Sequence, residues 1–113
     1  MSQFISLLAL TLRAAAAGIA AETFVTHAGA VPAAGARVLG VTRAPTAAIG
    51  DAMTVDALGT AIVLSGAAIA QGAALEVDAT GRAITRAAGV TVASARMAAT
   101  AAGQRIEVLL IPN

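Results

Sequence analysis

Cysteine, lysine, tryptophan and tyrosine are absent from this 113-residue chain, and phenylalanine occurs only at Phe4 and Phe24. Lack of cysteine excludes disulfides, cysteine-ligated zinc, iron–sulfur clusters and thiol catalysis. A single histidine, His27, cannot build a polyhistidine metal site. Without Trp or Tyr there is no aromatic platform on which a sugar could stack. Charge is scarce as well: seven arginines and six carboxylates leave a formal +1. The arginines are scattered from Arg13 to Arg105, whereas nucleic-acid binders gather basic charge on one stripe or helix face. Nucleic acid is therefore not an expected partner. The missing lysine, beside abundant Ala, Gly, Val and Arg, is what a GC-rich genome produces.

Long hydrophobic runs are missing too. Phe4 to Leu12 is apolar over nine residues, but Arg13 follows it instead of a charge preceding it, the wrong order for a secretory signal. The 19-residue uncharged run from Ala57 to Leu75 is interrupted by Gly59, Gly66 and Gly72, whereas a spanning helix needs about 20 predominantly apolar residues. No membrane association is expected.

What the chain has is small: 33 alanines and 11 glycines, so the 58% hydrophobic fraction overstates the core. An Ala methyl removes far less apolar area from water than a Leu or Phe, each worth roughly 1.5–3 kcal/mol. Leu, Ile, Val, Phe and Met must carry the folding energy, and they are thinly spread. A chain of this length makes one domain, 1–113, with an expected radius of gyration of about 13 Å. Its thin core predicts that neighbouring subunits add stability.

Two repeats organise the sequence. Val55-Asp-Ala-Leu-Gly-Thr-Ala-Ile62 returns 22 residues later as Val77-Asp-Ala-Thr-Gly-Arg-Ala-Ile84. Asp, two residues and Gly between alternating apolar segments read as a β-hairpin loop. The carboxylate accepts backbone N–H groups and the glycine takes positive φ. Asp56 with Gly59, and Asp78 with Gly81, are thus expected to be structural turns rather than an acid–base pair. The second repeat is looser: Arg43 to Gly50 and Arg96 to Gly103 each lead into an alternating segment. It points to internal pseudo-symmetry, though the hairpin match is the stronger of the two.

Alternation predicts strands at Ser6–Arg13, Glu22–His27, Ala36–Arg43, Ala52–Asp56, Thr60–Leu64, Leu75–Val77, Ala83–Thr85, Val90–Ala95 and Arg105–Ile111, with turn signals between them. Only Ala14–Ala21 has helical propensity, for a turn or two, and Gly18 interrupts it. The expected fold is mainly β, a small β-sandwich or barrel of short strands and hairpins with at most one short helix.

No catalytic constellation emerges. Glu76 and Glu107 sit on strands whose alternate residues face solvent, and a calcium site would need more grouped oxygen ligands. His27 stands at a strand end without a nucleophile nearby. The segment Ser65–Gly72 lacks the lysine of a phosphate loop. Ala68-Ile-Ala-Gln-Gly72 before a hairpin resembles barrel-sandwich carrier domains, but those hold their cofactor on a lysine that this chain does not have.

The run Gly66-Ala-Ala-Ile-Ala-Gln-Gly-Ala-Ala-Leu-Glu-Val-Asp-Ala-Thr-Gly-Arg-Ala83 resembles the central signature of the tailed-phage capsid cement, or head decoration, family. Ala99-Thr-Ala-Ala-Gly-Gln-Arg-Ile-Glu-Val-Leu-Leu110 is similar to its terminal strand. Val38–Arg43, Ala47–Asp51 and Leu8–Leu12 resemble earlier parts of the same family. Gln104 departs from the pattern, since many members carry an acidic residue there.

The resemblance implies a virion structural protein without enzymatic activity or cofactor. Such a protein binds the major capsid protein on the capsid exterior, commonly as homotrimers at threefold and quasi-threefold positions, after assembly in the host cytoplasm. Phe4, Leu8, Leu10 and Leu12 are then candidates for capsid or subunit contact, as an extended arm or equally as an internal first strand. Arg43 and Arg96, at matched points of the second repeat, are candidates to pair with carboxylates of a neighbouring chain. The competing class is a small secreted or surface-displayed β-barrel binding module.

Overall fold

The computed structural model describes residues 6–113, and every regular element among them is a strand. The strands are β1 (Ser6–Arg13), β2 (Phe24–Val25), β3 (Gly40–Thr42), β4 (Ala52–Leu64), β5 (Ala74–Val77), β6 (Ala83–Thr85), β7 (Ala93–Ala95) and β8 (Arg105–Leu110). No helix forms at Ala14–Ala21, because its backbone groups are taken by distant segments. Ala14 N–H donates to Asp51 O, Ala15 N–H to Gly29 O, and Ile19 O accepts from Thr46 N–H. Local propensity worth a turn or two loses to those contacts and to burial of Ile19.

The sheet runs β2-β3-β4-β8-β7-β5-β6, with β1 added on β4. β4 is the spine. Its first half carries β1 and β3, and its second half carries β8, from Thr60 opposite Leu109 to Leu64 opposite Arg105. The sheet curls into a nearly closed barrel. Leu64 N–H reaches Glu22 O at 3.0 Å, and Phe24 N–H at one end of the strand order reaches Gly81 O at the other, at 2.8 Å. The Cα radius of gyration is 12.4 Å. Most apolar burial lies in one core around Phe24, Leu75, Val77, Ile106 and Val108. A smaller core holds Ala14, Ile19, Val25, Met53 and Val55.

The 22-residue repeat divides into two different structures. Asp78 closes a tight turn: its Oδ1 accepts Thr80 N–H and Arg82 N–H, each at 2.9 Å, and Gly81 sits at φ +84°. Asp56 and Gly59 make no turn. They lie inside β4, which runs through them unbroken, and Asp56 is buried. Gly59, at φ +94°, marks an irregular register where β4 leaves β1 and β3 and continues alongside β8. The expectation of a hairpin there fails because strands on both edges hold this stretch extended. The looser repeat is the structural one. Asp51 Oδ2 accepts Ala47 N–H at 3.0 Å, and Gln104 Oε1 accepts Thr100 N–H at 2.8 Å, so both connectors close by a side chain reaching back four residues. An amide oxygen at Gln104 does there what a carboxylate does at Asp51.

Candidate assembly surface

β1 is an eight-residue strand bound on one side. Arg13 faces Ala52 and Ser6 faces Gly59 across its ladder with β4, while its other edge pairs with no strand among the described residues. A long edge with unpaired N–H and C=O groups is a template for another chain unless charge or proline blunts it. Here it is apolar instead. Leu7 is 75% exposed, Leu8 41% and Leu10 37%. Leu8 and Leu10 line a depression of about 200 Å³ with Leu39, Leu58 and Pro112, and exposed His27 stands on its wall. Leu12, half-buried, packs against the smaller core. Phe4, the remaining apolar contact candidate, lies outside the described residues. Leu7 was legible in part: in Ser-Leu-Leu-Ala-Leu-Thr-Leu it breaks the Leu8, Leu10, Leu12 alternation and makes both faces of the strand apolar. Nothing local announces Leu109 or Ile49, also exposed.

Both arginines that were candidates for partner carboxylates have in-chain ones. Arg43 Nε and Nη2 donate to Asp56 Oδ1 at 2.9 and 2.8 Å, and Arg96 Nη1 donates to Glu107 Oε1 at 3.1 Å. Connector and following strand are adjacent in space, so each guanidinium finds a carboxylate 11–13 residues on. The hydrogen bond from Arg43 to Asp56 raises its pKa above the ordinary value. A third pair joins Arg105 to Glu22 at 2.7 Å. Glu22, Arg43, Asp56 and Arg105 line a second depression of about 360 Å³, together with Thr42 and Ile62.

Two carboxylates expected to face solvent are buried. Glu107 lies beneath the Arg96 pair, and among the described residues its Oε2 has no hydrogen-bond partner. Glu76, on β5 between β6 and β7, accepts N–H groups of Ala87 and of Gly89, the latter at 3.3 Å. The Ala87 amide, helped by Gly89, Ala88 and the charge of Arg86, holds its carboxyl below the usual range. Strand alternation fails for Glu76 because the loop after β6 folds over the face that alternation assigns to water. The described residues contain no group of three His, Asp or Glu side chains that could hold a metal ion.

Comparison with solved structures gives the head fiber gp8.5 N base of bacteriophage phi29, at a TM-score of 0.74 and 18% identity, covering 92% of this chain and 93% of that one. At that identity the likeness concerns the fold. No curated protein matches the chain. The family model for phage cement proteins, in contrast, matches residues 6–110. That match runs from the first residue of β1 to the last of β8 and takes in the whole strand framework, so the chain belongs to the phage cement protein family.

Proposed function

We propose that this virion structural protein decorates the exterior of an icosahedral phage head. All of residues 1–113 would act as one non-enzymatic decoration domain, bound to the major capsid protein as homotrimers at threefold and quasi-threefold positions after assembly in the host cytoplasm. The observation that carries the reading is β1: an apolar, one-sided edge strand suits contact with another chain and has no use in a solitary molecule. Leu8, Leu10 and Leu12 are its contact residues. Arg43 and Arg96 would contribute through the outer faces of their ion pairs.

The mechanism is mass action. A subunit touching several capsid proteins adds binding free energy only while they keep their mature arrangement, so it stabilises that arrangement. Oligomerisation multiplies weak single contacts into firm attachment. The test is to size the purified protein by sedimentation and then pellet it with empty shells. An oligomer that co-sediments with shells is expected. A monomer without affinity for shells would overturn the reading.

A further inference from the structure

The chain is one plan built twice. Residues 6–56 and 57–110 each run strand, connector, short strand, tight turn, a further short strand, Arg-to-Gly connector and strand, the second unit adding β6 directly after its turn, and their hydrogen bonds correspond. Ala14 N–H to Asp51 O matches Ser65 N–H to Gln104 O, both at 2.8 Å. Glu22 N–H to Thr42 O matches Gly72 N–H to Ala95 O, Thr46 N–H to Ile19 O matches Ala99 N–H to Ile69 O, and Arg43 N–H to Thr54 O matches Arg96 N–H to Glu107 O. Thr26 Oγ1 accepts Ala30 N–H as Asp78 Oδ1 accepts Arg82 N–H. The ladders agree as well: Leu12 faces Met53 as Val63 faces Ile106, and Val25 faces Gly40 as Leu75 faces Ala93. In every match the later residue stands 50–53 positions on.

In this correspondence β1 is the counterpart of the second half of β4, yet the two are covered differently. Ala61 and Val63, in β4, are 0% exposed, and Phe24, Val38 and Val41 of the first unit share their core. Glu22 of the first unit accepts Leu64 N–H and binds Arg105. Leu10, the counterpart of Ala61, is open to solvent. The first unit's own core contains no residue of the second unit. The second unit is thus completed by a unit of its own kind, and the first is left uncompleted along β1.

We infer that β1 is a self-association strand, covered in the assembled protein by the second unit of another copy much as the first unit covers the second half of β4. Residue sizes suit this occupant. The positions corresponding to Phe24, Val38 and Val41 are Ala74, exposed, and Thr91 and Ser94, half-buried, all smaller, while the receiving Ala61 becomes the larger Leu10. Phe24 set on Ala61 is replaced by Ala74 set on Leu10, which moves the large side chain from the covering face to the receiving strand. The two surfaces differ, so the contact is head-to-tail and closes into a ring at the number its rotation sets. This deepens the assembly part of the cement reading and rests on it only in making the oligomer the working state.

The test uses two exposed positions, Leu10→Lys and Ala74→Glu, in the full chain, with sedimentation reading association and circular dichroism reading the fold. Each single variant is expected to stay folded and associate at least tenfold more weakly. The double variant, with opposite charges on the two sides of every contact, is expected to regain association. Folded single variants that associate like the parent would overturn the inference, as would a folded double variant that stays monomeric. Ala74→Glu carries the test if Leu10→Lys does not fold. Pelleting with shells is read separately: oligomers that ignore shells sink the decoration reading and leave this one standing.

Discussion

Glu22 is held at φ +60°, alone among the described non-glycine residues, and its place in the second unit is taken by Gly72 at +82°. The left-handed region costs an L-residue about 1–2 kcal/mol, and glycine almost nothing. A side chain is kept here because both Glu22 carboxylate oxygens accept from Arg105 Nε, at 3.0 and 2.8 Å, tying the first connector to β8. Glu22→Gly and Glu22→Ala both lose that pair, but only alanine keeps the strained backbone. Urea denaturation should therefore find the glycine variant more stable than the alanine variant by about 1 kcal/mol. Equal stabilities would show that the strain is not felt. Asp56 and Asp78 teach the same lesson of context: one Asp-x-x-Gly string becomes a buried partner for Arg43 in one place and a turn cap in the other.

At the scale of elements, the loop from Arg86 to Gly89 is held on β5 by the Glu76 carboxylate. A carboxyl whose folded pKa is lowered contributes stability that is fully present above its unfolded pKa and is lost as pH falls through the folded one. The loop should therefore stay closed at neutral pH and loosen below the ordinary carboxylate range. Hydrogen exchange at the Ala87 and Gly89 amides should show protection falling there beyond the intrinsic change in rate. Glu76→Gln should remove this pH step and leave the loop less protected at neutral pH. A step that survives in the variant would assign the loop's acid sensitivity to another group.

At the scale of the whole molecule, the two units are unequal partners. Phe24 belongs to the first unit but is buried in the core of the second, with Leu75, Val77 and Ile106. Phe24→Ala should cost about 3–5 kcal/mol, and the loss should appear in one cooperative transition, because the second unit's core is incomplete without the first. Residues 57–113 alone should stay unfolded by circular dichroism. Two separate transitions in the full chain would show units that fold independently and would remove the basis for calling the second one dependent.

Alternation and turn residues were enough to announce the all-β class and the position of most strands. Alternation puts a strand at Ser6–Arg13 and another at Ala83–Thr85, where β1 and β6 lie, because side-chain period and turn chemistry act within a few residues. The sequence also carried the true repeat in Arg43–Gly50 and Arg96–Gly103, masked by the closer verbal match of the Asp-x-x-Gly strings. Long-range packing settled that β4 runs straight through Asp56, that Glu76 and Glu107 are buried, and that Arg43 and Arg96 pair within the chain. It alone decided that β1, not its counterpart in β4, is the strand left open. Burial of a strand depends on which distant segments come to lie over it, and no pattern within the strand encodes that.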